Sequence, residues 1–153
     1  MDIHELGEYS KLFIPVIALL GVYIAYQQHV LGKEKARFDF FEKRFSVYQA
    51  INKVVLEMQW NSDNLDPEDF VVFYQACNEA EFLLPDYAYA YIKGIRDAVR
   101  DQRMLVLKRQ RRNLDENAVD ALYDKEEELL ERFDKYQKEL STVFRPYLKI
   151  GSL

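Results

Sequence analysis

The chain has 153 residues, 31% of them charged, and a formal net charge of −5 at pH 7. This negative charge disfavours nonspecific binding to nucleic acid, so no nucleic-acid partner is expected. The single cysteine, Cys77, excludes an intrachain disulfide and any cysteine-rich metal site. Five glycines and four prolines are few for this length, and they favour long helices over sheets.

The predicted elements begin with residues 12–32, which contain no Asp, Glu, Lys or Arg. At about 1.5 Å per residue, a helix of this length reaches roughly 30 Å, the hydrocarbon thickness of a bilayer. We therefore predict a transmembrane helix over residues 12–32, preceded by an extracytoplasmic tail over residues 1–11. The alternative is a helix buried in a protein core, because the fully apolar part ends at Tyr26 and is short for a span.

Positive charge on the C-terminal side of this stretch sets its predicted orientation. Lys33, Lys35 and Arg37 follow it, and the positive-inside rule places such residues in the cytoplasm. The expected protein is single-pass, with its N-terminus outside and a cytoplasmic domain over residues 33–153. The same cations are expected to contact the lipid bilayer, where each adds about 1 kcal/mol of attraction. The alternative is that they only determine the topology.

Small residues occupy one face of the predicted span. Ala18, Gly21 and Ala25 recur at three- and four-residue steps, a spacing that lets two helices approach closely in lipid. They are candidates for helix association, and the alternative is that small residues are simply common in membrane spans.

An apolar stripe at helical spacing follows the cations and predicts a helix that ends near Trp60, continuous with the first if Gly32 does not interrupt it. Turn-forming residues follow over 61–66. The stripe consists of Phe38, Phe41, Phe45, Tyr48, Ile51, Val55 and Met58.

A second helix is predicted to start at Asp66, which can cap it, with Pro67 at the first helical position. Cys77 lies on its apolar stripe and is interpreted as a buried apolar residue rather than a nucleophile. Pro85 ends this helix, and Asp86 can cap the next. The stripe consists of Phe70, Phe73, Tyr74, Cys77, Ala80 and Leu84.

The last two helices carry opposite charge. Residues 87–112 form a predicted helix, although the alternation from Tyr87 to Tyr91 would by itself suit a strand. The fourth helix is predicted to start near residue 115. The third helix is mainly basic and the fourth mainly acidic, so we predict an antiparallel pair joined by a turn at residues 113–114. In that register Lys108 lies opposite Asp120, and Arg100 lies opposite Glu127 or Glu128. The whole chain is predicted to be all-α, a membrane helix extending into an antiparallel bundle of about four helices.

No motif indicates catalysis. The chain has no glycine-rich phosphate loop and no His-Glu-x-x-His sequence, and its only histidines are His4 and His29. Without Glu-x-x-His pairs, a di-metal site in the bundle is not expected. The sequence therefore predicts neither an enzyme nor a metal or other cofactor.

The function that remains is a membrane-tethered interaction or scaffold module, acting on a protein partner or on further copies of itself. The candidate partner surface consists of Trp60, Tyr87, Tyr89, Tyr91 and Glu126, the last being the only charge in an apolar stripe. The alternative for these residues is a place in the core or at its rim. The alternative function is a membrane-perturbing effector of the defence or toxin type, which oligomerises through the predicted span.

The run Lys33-Glu-Lys-Ala-Arg-Phe-Asp-Phe-Phe-Glu-Lys-Arg-Phe-Ser-Val-Tyr48 resembles a type of small, uncharacterised bacterial membrane protein. In those proteins an N-terminal membrane helix runs into a helix of the form Glu-Lys-x-Arg-x-Asp-x-(Phe/Tyr)-Glu-Lys-Arg-Phe-x-Val-Tyr. The segments Glu81-Phe-Leu-Leu84 and Phe144-Arg-Pro-Tyr-Leu148 are similar to their later parts. The resemblance implies a bacterial inner-membrane protein with a helical cytoplasmic domain, and it implies no activity.

Overall fold

The computed structural model describes the backbone of residues 3–60, 66–110 and 116–149, and the side chains of residues 15–60, 66–110 and 119–149. These residues form four α-helices and no strand. The helices are α1 (Ile3–Trp60), α2 (Pro67–Leu83), α3 (Asp86–Arg109) and α4 (Glu116–Phe144). The prediction of an all-α helical bundle is confirmed.

The chain divides into two compact units, residues 1–39 and residues 40–153. Unit 1 contains the first part of α1. Unit 2 contains the rest of α1 together with α2, α3 and α4.

The helix α1 is 58 residues long and passes through Gly32 without interruption, which settles the continuity that the sequence left open. Pro15 also lies inside it. A Cβ atom added at Gly32 would meet no atom within 4 Å, so the position does not require glycine for close packing.

The predicted membrane location is wrong. In the part of the chain that the structure describes, no helix has an apolar stretch long enough to cross a membrane. The apolar side chains described there run from Pro15 to Tyr26, about 18 Å of helix against the roughly 30 Å of hydrocarbon. Gln27, Gln28 and His29 follow, and polar side chains of this kind are costly to place in hydrocarbon. The predictions of a transmembrane helix at 12–32, of an inner-membrane location and of an N-outside topology are corrected accordingly.

The start of α2 follows the predicted capping. The Asp66 carboxylate accepts a hydrogen bond from the Glu68 N–H at 2.9 Å, and Pro67 opens the helix. Pro85 separates α2 from α3, as predicted. Asp86 differs from its predicted role because it is the first residue of α3 and its side chain makes no capping hydrogen bond. Its charge still favours the positive end of the helix dipole.

Helices α3 and α4 are antiparallel, because Tyr91 contacts Tyr136 while the later residue Arg109 contacts the earlier Glu126. The ion pairs differ from those predicted: Arg100 bonds to Asp97 and Asp101 of its own helix. The predicted turn at residues 113–114 lies outside the described residues.

The core of unit 2 takes side chains from all four helices. Cys77 is 1% exposed, which confirms its interpretation as a buried residue. The stripe predicted on α1 is confirmed from Ile51 onward, whereas Phe38 and Phe45 are exposed. The buried apolar residues are Val47, Ile51, Val54, Val55, Met58, Phe73, Ala76, Cys77, Ala80, Leu84, Ala88, Ile92, Ile95, Ala98, Val99, Leu129, Phe133, Leu140 and Phe144.

Candidate interaction surface

Unit 1 exposes a continuous set of large apolar side chains. Nine of them keep between 50% and 70% of their surface exposed, and no Asp, Glu, Lys or Arg lies between Pro15 and Gly32. A water-facing helix ordinarily carries charged or polar residues on its outer face. The nine residues, which we call the apolar segment, are Val16, Ile17, Leu19, Leu20, Val22, Tyr23, Ile24, Tyr26 and Leu31.

The small residues predicted to associate lie on an open face of the same helix. Ala18, Gly21 and Ala25 are all exposed, and a Cβ atom added at Gly21 would meet no atom within 4 Å. On the same helix, the Gln27 amide donates a hydrogen bond to the hydroxyl of Tyr23 at 3.1 Å.

The cations that were predicted to contact lipid are also on this helix. Lys33, Lys35 and Arg37 are exposed, one turn beyond the end of the apolar segment. The apolar segment is therefore followed by basic residues at its C-terminal end.

Two of the predicted partner residues are strongly exposed. Trp60 is 85% exposed at the end of α1, and Tyr87 is 62% exposed at the start of α3, with its ring centroid 6.1 Å from that of Tyr147. The structure does not bring the two together. Because Lys53 contacts Asp69 and Arg44 contacts Leu83, α2 runs antiparallel to α1, so Trp60 and Tyr87 lie near opposite ends of α2, about 25 Å apart along its axis.

The other predicted partner residues are engaged inside the bundle. The Tyr91 hydroxyl donates to the main-chain oxygen of Tyr136 at 3.0 Å, and the two rings meet edge to face. Burial, and after it the carboxylate of Glu139, raises the pKa of Tyr91. Tyr89 packs against the core.

Glu126 links α4 to α3. Its two carboxylate oxygens each lie 3.4 Å from an Arg109 nitrogen, and its side chain is about three-quarters covered. The charge that stands out in the apolar stripe of α4 therefore has a partner within the fold.

The sequence analysis did not identify a set of exposed apolar residues on α2. Val71, Val72 and Phe82 face outward, and Phe82 is 86% exposed. They lie off the stripe that predicts the buried face of α2, and this offset is the signal that could have identified them. Phe82 belongs to unit 2, whereas the apolar segment belongs to unit 1.

The described residues offer little reactive chemistry. None of them form a group of three or more His, Cys, Asp or Glu side chains that could hold a metal ion. Burial raises the pKa of the Cys77 thiol to about 12, so the thiol stays protonated at neutral pH. An open groove of about 320 Å³ between α3 and α4 mixes both charges with apolar side chains: Asp101, Met104, Leu105, Lys108, Lys125, Glu128, Leu129 and Arg132.

Comparison of the chain with protein-family models, with curated proteins and with solved structures finds no match. The resemblance to small bacterial membrane proteins therefore stays a prediction.

Proposed function

We propose that this chain is a helical interaction module without catalytic activity of its own, and that it assembles with other helices through the apolar segment of unit 1. The partner is a helical surface, supplied by another protein or by further copies of this chain. Nucleic acid is not proposed as a partner, because the chain is acidic overall.

The observation that carries this proposal is the exposed apolar area of residues 16–31. If each of the nine side chains exposes on the order of 80 Å², the segment exposes roughly 700 Å² of apolar surface. The largest apolar patch on a monomeric protein is ordinarily about 300–600 Å². A partner that covers the segment would remove this area from water, at about 25 cal/mol per Å².

Unit 2 supports the proposal because it supplies a packed helical domain to which the segment is joined. Its core residues are mostly less than 2% exposed, although apolar side chains such as Val71, Val72 and Phe82 remain exposed on its surface. The chain thus combines one buried apolar core with one uncovered apolar segment. This contrast favours a role in assembly.

Trp60 and Tyr87 are proposed as secondary contacts. They are the two predicted partner residues that remain exposed, and aromatic side chains are enriched at the centres of interfaces. Tyr89, Tyr91 and Glu126 are left out, because their side chains already pack or bond within unit 2.

Site-specific photocrosslinking of the complete chain tests the proposal. A photoreactive phenylalanine analogue replaces Leu19, which is 70% exposed in the apolar segment, and a matched variant carries it at the exposed Glu131 of α4. We expect one discrete protein adduct from position 19 and none from position 131. The adduct should be lost when Leu20→Asp is added and kept when Phe82→Asp is added, because only the first change places a charge in the segment.

Two outcomes would contradict the proposal. The first is the absence of any protein adduct from position 19. The second is an adduct that survives Leu20→Asp, because the contact would then not depend on the apolar character of the segment.

A further inference from the structure

The apolar segment has two bulky faces and one small one. With 3.6 residues per turn, Val16, Leu19, Tyr23 and Tyr26 follow one line along the helix, which we call seam A. Ile17, Leu20, Ile24, Gln27 and Leu31 follow a second line, seam B, about 100° around the helix from seam A. Ala18, Gly21, Val22 and Ala25 lie on the remaining face, and that face continues into Gln28 and His29.

Both seams repeat at alternating three- and four-residue steps, the spacing of coiled-coil contact positions. One neighbouring helix can cover only one seam. Because eight of the nine exposed apolar residues lie on the two seams together, a single partner helix would leave about half of them in water. Two neighbours per helix are needed to cover both.

We propose that this chain assembles with further copies of itself into a closed parallel bundle of more than two helices, in which seam A of each copy packs against seam B of the next. This bundle rests on the proposed function, in which the apolar segment binds another helix, and it identifies that helix as a second copy of the same chain. A contact between two different faces closes into a ring when repeated by rotation, so each copy covers both of its seams. The small face, with Gln28 and His29, then points outward to water.

The area agrees with this arrangement. Covering both seams buries on the order of 650 Å² per copy, close to the roughly 800 Å² per partner of a stable interface. Covering one seam buries about half of that, which falls in the range of weak contacts.

The polar groups of the two seams favour a second copy of this chain as the partner, and they favour parallel over antiparallel packing of the helices. Seam B contains one amide, Gln27, and seam A contains the hydroxyls of Tyr23 and Tyr26 at the same height. In a parallel ring the amide of one copy lies level with the hydroxyls of its neighbour. In an antiparallel pair it would face aliphatic residues such as Leu19, and its polar atoms would lose their water without compensation. The bond from Gln27 to Tyr23 within one helix shows that these two groups are compatible.

Charge does not favour a different partner. The segment from Pro15 to Gly32 carries no Asp, Glu, Lys or Arg, so it offers no permanently charged group that would distinguish a foreign helix. Its specificity depends on shape and on the Gln27 and tyrosine positions. A second copy matches both.

Cysteine crosslinking of the purified complete chain tests the arrangement. The double variant Leu19→Cys/Leu20→Cys places one thiol on each seam at the same height, and the matched control Val22→Cys/Ala25→Cys places both on the small face. Cys77 is buried and stays in both variants. Under mild oxidation we expect the first variant to form a ladder of disulfide-linked chains at least tenfold faster than the control. Sedimentation equilibrium of the unmodified chain should give a mass of three or more copies.

Several results would overturn the bundle. The first is a weight-average mass of one copy at about 100 µM chain, a high concentration for an association experiment. The second is a mass of two copies. The third is faster formation of disulfide-linked chains in the small-face control than in the seam variant. Flotation of the chain with phosphatidylcholine vesicles in place of self-assembly would overturn it as well. If position 19 crosslinks to a protein of another mass, the bundle fails and the proposed function stands; if it crosslinks to nothing, both fail.

Discussion

Arg44 on α1 donates its Nε hydrogen to the main-chain oxygen of Leu83 at 2.9 Å, and so connects the long helix to the end of α2. The last carbonyl groups of a helix have no partner within the helix. Leu83 is the last residue of α2, two residues before Pro85, which supplies no N–H. The arginine therefore satisfies an oxygen that the local sequence leaves open.

Replacing Arg44 with methionine should lower the free energy of unfolding by about 1–2 kcal/mol, because a partly buried carbonyl oxygen loses a charged donor while the apolar stem is kept. Urea denaturation followed by circular dichroism measures the change. Lys43→Met is the matched control and should change stability by less than about 0.5 kcal/mol, since Lys43 is exposed. Equal losses in the two variants would mean that the bond to Leu83 contributes nothing.

Gln102 on α3 is 1% exposed, and neither its Nε2 nor its Oε1 has a hydrogen-bond partner. An unsatisfied buried amide is costly, so Gln102→Leu should raise the free energy of unfolding by about 1–2 kcal/mol. Thermal and urea denaturation measure it, with the exposed Gln75→Leu as a control that should stay within about 0.5 kcal/mol of the parent chain. A clear loss of stability in Gln102→Leu would show that the amide is satisfied in solution.

Cys77 should be inert in the folded chain and should make stability depend on alkaline pH. Burial raises the pKa of its thiol from 9.0 to about 12, with Arg96 opposing part of the rise. Because the folded pKa lies above the unfolded one, the contribution is fully present below pH 9 and is lost as the pH rises toward 12. The difference in unfolding free energy between the parent and Cys77→Ala should therefore shrink from pH 8.5 to pH 11 (about two units above the unfolded thiol pKa).

Thiol labelling provides a second measurement at neutral pH. Cys77 should react much more slowly in the native chain than in denaturant, because the thiolate is the reactive species and the folded site disfavours it. Equal rates in the two states, or a parent-to-variant difference that does not change with pH, would contradict the assigned burial.

Tyr91→Phe should lower the free energy of unfolding by about 0.5–1.5 kcal/mol, because the Tyr136 main-chain oxygen loses its 3.0 Å donor while the edge-to-face ring contact is kept. Urea denaturation compares it with Tyr123→Phe, whose ring is 60% exposed and whose loss should be near zero. The raised pKa of Tyr91 also predicts that one tyrosine titrates above the others in an ultraviolet pH titration, and that this late component disappears in Tyr91→Phe. If the titration curve of Tyr91→Phe keeps the late component, the partly buried environment assigned to Tyr91 is wrong.

Local sequence was sufficient for the helices themselves. Asp66 and Pro67 predict the start of α2 and Pro85 its end, because capping and the missing N–H of proline act within one turn of the chain. The stripe around Cys77 predicts its burial, because helical spacing places those side chains on one side. The Tyr87–Tyr91 alternation was resolved correctly as a helix by its flanks.

Partners across the fold could not be read in the same way. The opposite charges of the third and fourth helices predict their antiparallel pairing, but Arg100 bonds within its own helix and Arg109 reaches Glu126. Exposed ion pairs differ by less than about 1 kcal/mol, so charge alone does not determine which side chains meet. Glu126 was expected at a partner surface, and only the packing of α3 on α4 supplies its arginine.

The sequence by itself determined an all-α chain, the start of α2 at Pro67, the break at Pro85, and a long apolar stretch near the N-terminus, because each depends on neighbours within a few residues. Tertiary structure decided which apolar residues are covered. It buries Ile51 and Phe73 and leaves Phe38 and Phe82 exposed to water. It also gives Tyr91 and Glu126 bonding partners within the bundle. Burial depends on which helix arrives opposite a residue, and this depends on the packing of the whole domain rather than on any one stretch of it.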